Sequence, residues 1–192
     1  QITQISQSVT RIGFRGILEL AMGISVLEAF KKGLGKGGLD RRGFWRHSLA
    51  VALASRRLAL QLGYPDHEEA FVAGLLHDIG KPLLEECFPE EYRRAIDRAR
   101  REGLPIRQAE HDVFGAEHAF FGGLLLKEWG IPSAIIQVVL HHHQPERHAV
   151  QDEGHGRTLV RLVHLGNAAG AAKVSILGHR THVTREQLEA NL

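Results

Sequence analysis

The chain is poor in sulfur, in aromatic rings and in net charge. It has one cysteine, one methionine, two tryptophans and two tyrosines in 192 residues, with 24 basic side chains against 22 acidic ones. The single cysteine, Cys87, excludes an internal disulfide framework and suits a reducing compartment. Its neighbours Glu85 and Glu86 would not lower a thiol pKa. A net charge of +2 gives no basic face for duplex nucleic acid or an anionic membrane. No stretch reaches about 18 uncharged apolar residues; the most apolar N-terminal run, 12–30, is broken by Arg15, Glu19 and Glu28. The start lacks the basic region and small-residue cleavage site of a secretory signal. A cytoplasmic protein is expected, and a chain opening on Gln1 is expected to be a piece of a longer one. Hydrophobic residues at 43% and charged residues at 24% suit a globular domain with a real core. Histidine is in excess: 13 residues, roughly three times ordinary usage, of the commonest metal ligand and a frequent acid or base.

Nearly every segment carries a helical period and none sustains a period of two, so the chain reads as all-α. Helices are expected at about 8–31, 43–62, 66–79, 89–102, 115–129, 132–143, 157–173 and 185–191. The first has Ile12, Ile17, Leu20, Ile24 and Leu27 on one side, and a Lys-Gly-rich joint, 31–38, follows it. That joint lacks P-loop spacing and a preceding strand, so it reads as a linker. The expected division is an N-terminal helix plus linker over 1–40 and a helical domain over 41–192. Asp66 with Glu69 has capping-box spacing, and Gly80 with Pro82 should stop the third helix near Ile79. The arginine-rich helix after Pro89 carries i,i+4 ion pairs and reads as a solvated face.

Polar residues placed on apolar faces carry the functional argument. His47 lies in register with Val51, Ala54 and Leu58; His77 follows Ala70, Ala73 and Gly74; Asp78 follows Phe71, Gly74 and Leu75. His118 shares a face with Phe114, Phe121 and Leu125, His142 and His143 continue the Ile135–Val139 stripes, and Asn167 continues Val160 and Val163. Five helices thus bring a metal-competent group to the core side, where an unpartnered polar group costs a few kcal/mol. One metal centre would satisfy them together, and imidazole with carboxylate suits iron, manganese, zinc or cobalt. Adjacent His77 and Asp78 at a helix end can point about 100° apart, so that the carboxylate could bridge two cations held near the negative end of the dipole. Lys81, past the helix end, could reach a phosphate placed over the metals.

The run Leu75-Leu76-His77-Asp78-Ile79-Gly80-Lys81 resembles the signature of the HD superfamily, helical metal-dependent phosphohydrolases. With Phe44-Trp45-Arg46-His47-Ser48, Phe114-Gly115-Ala116-Glu117-His118, Gly122, Trp129-Gly130-Ile131-Pro132 and His141-His142-His143, the ordered set is similar to the HDOD branch found mainly in bacterial signalling proteins. The resemblance spans about 6–172. It implies an HD-type helical bundle with metal ligands at His47, His77, Asp78, His118, His142 and His143; in a hydrolytic reading the catalytic pair is Asp78, bridging the metals, and Lys81, offsetting phosphate charge. The family's last ligand is an aspartate, whereas Asn167 stands here and cannot offset cation charge. The Gly-Tyr-Pro signature of the HD-GYP phosphodiesterases is absent after the paired histidines, so cyclic di-GMP is not carried over as a substrate. The resemblance also implies a preceding helical lobe, most of which is missing from this chain.

Two functions follow as expectations. One is hydrolysis of a phosphoester or nucleotide at a one- or two-metal site. The other is a catalytically inactive output or binding module in bacterial signal transduction, fused to or paired with a sensor, receiver or other signalling protein. His141 is expected at the rim, and His67, His148, His155, His179 and His182 are expected to be exposed. His111 and Asp112 are read as cap or loop residues, and Glu110 and Glu117 are left without a role.

Overall fold

A computed structural model describes residues 37–147 and 155–176. The expected N-terminal and C-terminal helices lie outside those residues, as do most of the joint, His148, His179 and His182. Among the described residues the chain is helical with no strand. The helices are α1 (Arg41–Gln61), α2 (His67–Leu76), α3 (Gly80–Cys87), α4 (Pro89–Glu102), α5 (Ile106–Phe114), α6 (His118–Glu128), α7 (Ser133–His141) and α8 (His155–Ile176), with a 3-10 turn at Pro145–Arg147. None is long and apolar enough to cross a membrane.

The helix ends follow local chemistry. Asp40 starts α1, its side chain accepting from Gly43 N at 2.9 Å. Pro89 sits in the first turn of α4, where its missing N–H costs nothing. Gly103 and Gly115, both at positive φ, end α4 and α5.

Three expectations need correction. The third helix does end before Gly80, at Leu76, but Gly80 and Pro82 also open a helix that was not expected: after a turn at 77–79 they fall in the first turn of α3, where the N–H that proline lacks has no helical partner anyway. Asp66 caps α2 by position without a side-chain capping bond, and buried Glu69 turns inward to Tyr64 and His155 instead of completing a box. Phe114 and His118 belong to different helices, because α5 occupies 106–114 and places His111 and Asp112 on a helix.

Small residues let the helices approach closely. A Cβ on Gly74 would come within 2.9 Å of Ala52 Cα, which sets α2 tightly on α1. A Cβ on Gly166 would meet the Ser55 side chain and lie 3.1 Å from its backbone N, which sets α8 on α1 from the other side. The main core gathers Val51, Leu76, Ile79, Leu126, Ile135, Val139, Leu159 and Val163 from helices α1, α2, α6, α7 and α8 and the turn after α2. A smaller one, Leu84, Tyr92 and Ile96, lies under α3 and α4. The histidine-bearing helix ends meet against the main core.

A candidate metal centre around Asp78

Asp78 lies in the turn between α2 and α3 and is buried. That turn follows the carboxyl end of one helix and precedes the amino end of the next, whose free N–H groups favour an anion. The two carboxylate oxygens face different partners. Oδ1 lies 3.1 Å from His118 Nε2 and 3.3 Å from His142 Nε2. Oδ2 lies 3.4 Å from His77 Nε2, 3.9 Å from His47 Nε2 and 2.5 Å from Lys81 Nζ. His143 Nε2 completes the first side, 3.0 Å from His118 Nε2. On the second side Asn167 stands beside the His47 ring. Six of the seven expected ligand positions and Lys81 therefore meet at one carboxylate, with Asn167 beside His47.

The ring orientations come from contacts made away from the centre. His77 Nδ1–H donates to Gly74 O at 2.8 Å, and His142 Nδ1–H donates to Val139 O at 2.9 Å. Both bonds turn Nε2 toward Asp78, the ring orientation a metal ligand needs. His118 Nδ1 lies 2.5 Å from Glu110 Oε2, which also accepts from the His118 backbone N at 2.9 Å. His164 Nδ1–H donates to the His142 carbonyl at 2.7 Å and ties α8 to the turn that carries the paired histidines. Sequence reasoning left Glu110 without a role and passed over His164. The signal for Glu110 was present, since it stands four residues from both Ile106 and Phe114 on one apolar helical face.

Electrostatics keep most of these imidazoles neutral. Burial, aided by His77, lowers His47 to about 4. Burial also lowers His142 to about 4, and burial with its two histidine neighbours pushes His143 far lower. Burial opposes charge on Asp78, but His77 and Lys81 outweigh it and hold the carboxyl well below its usual range. His118 is the exception: burial again opposes charge, and the Glu110 carboxylate overcomes it to raise the imidazole. Burial and the nearby Glu110 charge raise the Tyr92 phenol, which stays protonated behind that carboxylate.

The donor set fits a divalent first-row cation. His77 Nε2, His142 Nε2 and Asp78 Oδ1 are buried with no hydrogen-bond partner, which costs on the order of 1–3 kcal/mol per atom unless something else engages them. Two ligand atoms each about 2.0–2.2 Å from a cation stand about 3–3.5 Å apart, which matches most of the separations here. The grouped ligand atoms fall into two sets sharing Asp78, one with His118, His142 and His143 and one with His47 and His77.

Residues 1–145 match the HDOD domain family. The chain belongs to that family. In fold it is similar to an HDOD domain protein of unknown function from Geobacter sulfurreducens, with a TM-score of 0.79 and 28% identity over 97% of this chain and 61% of that one. A protein from Shewanella amazonensis SB2B, provisionally named a phosphohydrolase, shares the fold at a TM-score of 0.72 and 24% identity over 92% of this chain and 67% of that one. Ribonuclease Y of Geotalea uraniireducens (strain Rf4) is 31% identical over 105 residues, which make up 55% of this chain and 15% of that enzyme. The chain spans 26% or less of the length of the curated relatives it matches.

The remaining histidines of this HDOD chain divide plainly. His141 is partly buried and stands outside the grouped ring nitrogens, His67 pairs with Glu68 at 3.1 Å, and His111 is exposed. His155 departs from expectation: its Nε2 sits 2.7 Å from Glu69 Oε2 and 2.8 Å from Tyr64 Oη, and its ring stacks on Tyr64. This contact clasps the start of α8 to α2 and helps hold the helix that carries Asn167. Asp112 pairs with Arg98 at 3.0 Å, and Cys87 is exposed.

Proposed function

We propose that this HDOD domain holds one or two first-row divalent cations on Asp78 and its histidines and hydrolyses a small phosphoester or nucleotide. The observation that carries the reading is the buried trio His77 Nε2, His142 Nε2 and Asp78 Oδ1, which no side chain among the described residues satisfies with a hydrogen bond. His118, His142 and His143 would hold a cation on the Oδ1 side; His47, His77 and Asn167 line the Oδ2 side. A cation bound there would supply a water of lowered pKa and a Lewis-acid clamp on phosphoryl oxygens. Asp78 orients the donors, and Lys81, only partly buried, brings a positive charge to the edge where a phosphate would enter. His47, about one-fifth exposed, marks the open side of the same centre.

The second reading is a non-catalytic signalling or binding module, fused to or docking on a signalling protein. Asn167 favours it, because a neutral amide on the Oδ2 side leaves a single carboxylate to balance the cations. The test is metal content after purification without chelators, followed by turnover of a generic phosphodiester and of nucleotides by the native chain and by Asp78→Asn. Metal with turnover that Asp78→Asn abolishes supports hydrolysis. Metal without turnover on any phosphoester supports the module. A chain that holds no metal and regains none from manganese, iron or zinc overturns the proposed centre.

A further inference from the structure

We infer that Lys81 serves as a built-in cation on the Oδ2 side of Asp78, so that the native chain retains a single metal ion, on the Oδ1 side. The inference rests on the metal-centre reading above and adds number and place to it. The two sides of Asp78 differ in charge. On the Oδ1 side, three imidazoles converge, and Glu110 stands behind His118 with its oxygen 2.5 Å from Nδ1. That side is served by a share of Asp78 and backed by a second carboxylate, and a carboxylate behind a ligating histidine strengthens the ligand.

Among the described residues, the Oδ2 side has no second anion. Its donors are His47, His77 and, beside His47, Asn167, and the Lys81 ammonium sits 2.5 Å from Oδ2. A carboxylate oxygen has more than one lone pair, so the ammonium does not block the oxygen by shape. It acts through charge: a divalent ion bound beside it would face a like charge within a few ångströms in a largely buried site. Lys81 is held in place because it comes three residues after Asp78, and its backbone N donates to Asp78 O at 2.9 Å.

The experiment is Mn2+ and Zn2+ stoichiometry on the full chain, loaded after chelator treatment and freed of loose ions by gel filtration, for native protein, Lys81→Met, His143→Ala and His47→Ala. Circular dichroism confirms that each variant is helical. The expected result is one ion per chain in native protein and in His47→Ala, none in His143→Ala, and two in Lys81→Met, with the second ion bound at least about tenfold tighter than in native protein. Two ions in native protein, or one ion retained in Lys81→Met, would overturn the role of Lys81 and leave the metal centre standing. One ion lost with His47→Ala and kept with His143→Ala would overturn its placement. No ion in any form would overturn the metal reading itself.

Discussion

Glu110 Oε2 is shared between the backbone N–H of His118, at 2.9 Å, and the imidazole Nδ1 of the same residue, at 2.5 Å. One buried carboxylate therefore sets both the start of α6 and the rotation of the ring that faces Asp78. Glu110→Gln keeps an acceptor oxygen and removes the charge. Metal affinity should fall by about 10–100-fold, and the fold should lose about 1–3 kcal/mol. Chelator competition and denaturant unfolding measure the two effects. A variant with native metal retention would show that His118 needs no carboxylate behind it.

Acid should loosen the metal-free domain in two stages. His47 and His142 have folded pKa values near 4 against an ordinary 6.5, so the unfolded chain binds more protons between those values. Their contribution is whole above about 6.5 and drains away as pH falls to about 4, by roughly 1.4 kcal/mol per unit for buried His142 and less for His47, which is partly exposed. Asp78 and Glu110, both depressed, extend the loss below the usual carboxylate range as they protonate. His118 works in the opposite sense: its raised pKa adds stability below 6.5 and loses it as pH rises through the folded value. Thermal melts from pH 7.5 to pH 4 should show a falling Tm, and a flat profile would contradict the neutral, buried assignment of His47 and His142.

Gly80→Ala should unfold or badly loosen the domain although position 80 has an ordinary backbone. A Cβ there would overlap the carbonyl of His118 and lie 2.9 Å from Gly122 N. Backbone atoms cannot swing away as a side-chain tip can, so α3 would have to move off α6. The expected cost is about 3 kcal/mol or more, read by urea unfolding. An unchanged midpoint would mean that the α3–α6 crossing is looser than described.

Asn167→Asp should strengthen cation retention on the Oδ2 side by about tenfold or more, since it adds a charge beside His47. The effect should be larger in a Lys81→Met background, where no ammonium competes. Chelator competition of the double variant against each single one measures the coupling. Additive or absent effects would remove Asn167 from the set.

Much of the centre was legible in the sequence because its signal is local. A histidine at the spacing of Val51, Ala54 and Leu58, or one continuing Ile135, Val138 and Val139, declares its own face without reference to any other helix. The same spacing identified the all-α class and placed His47, His77, Asp78, His118, His142, His143 and Asn167 on inward faces. Where spacing was misread, the cause was a short connection. Gly115 divided α5 from α6 although Phe114 was read as sharing a face with His118, and Gly80-Lys81-Pro82 opened a further helix just after the expected stop.

The partners of these residues lay beyond what the sequence could determine. Which oxygen of Asp78 meets which histidines, that Glu110 reaches back to His118 and that His155 closes on Glu69 are contacts between different helices or turns, the last two across separations of 8 and 86, which no helical period sets. They exist because glycine at positions 74, 80, 122 and 166 lets helix backbones come within van der Waals contact. Local pattern therefore determined which faces are buried, while the depth and angle of the helix crossings decided which buried groups touch.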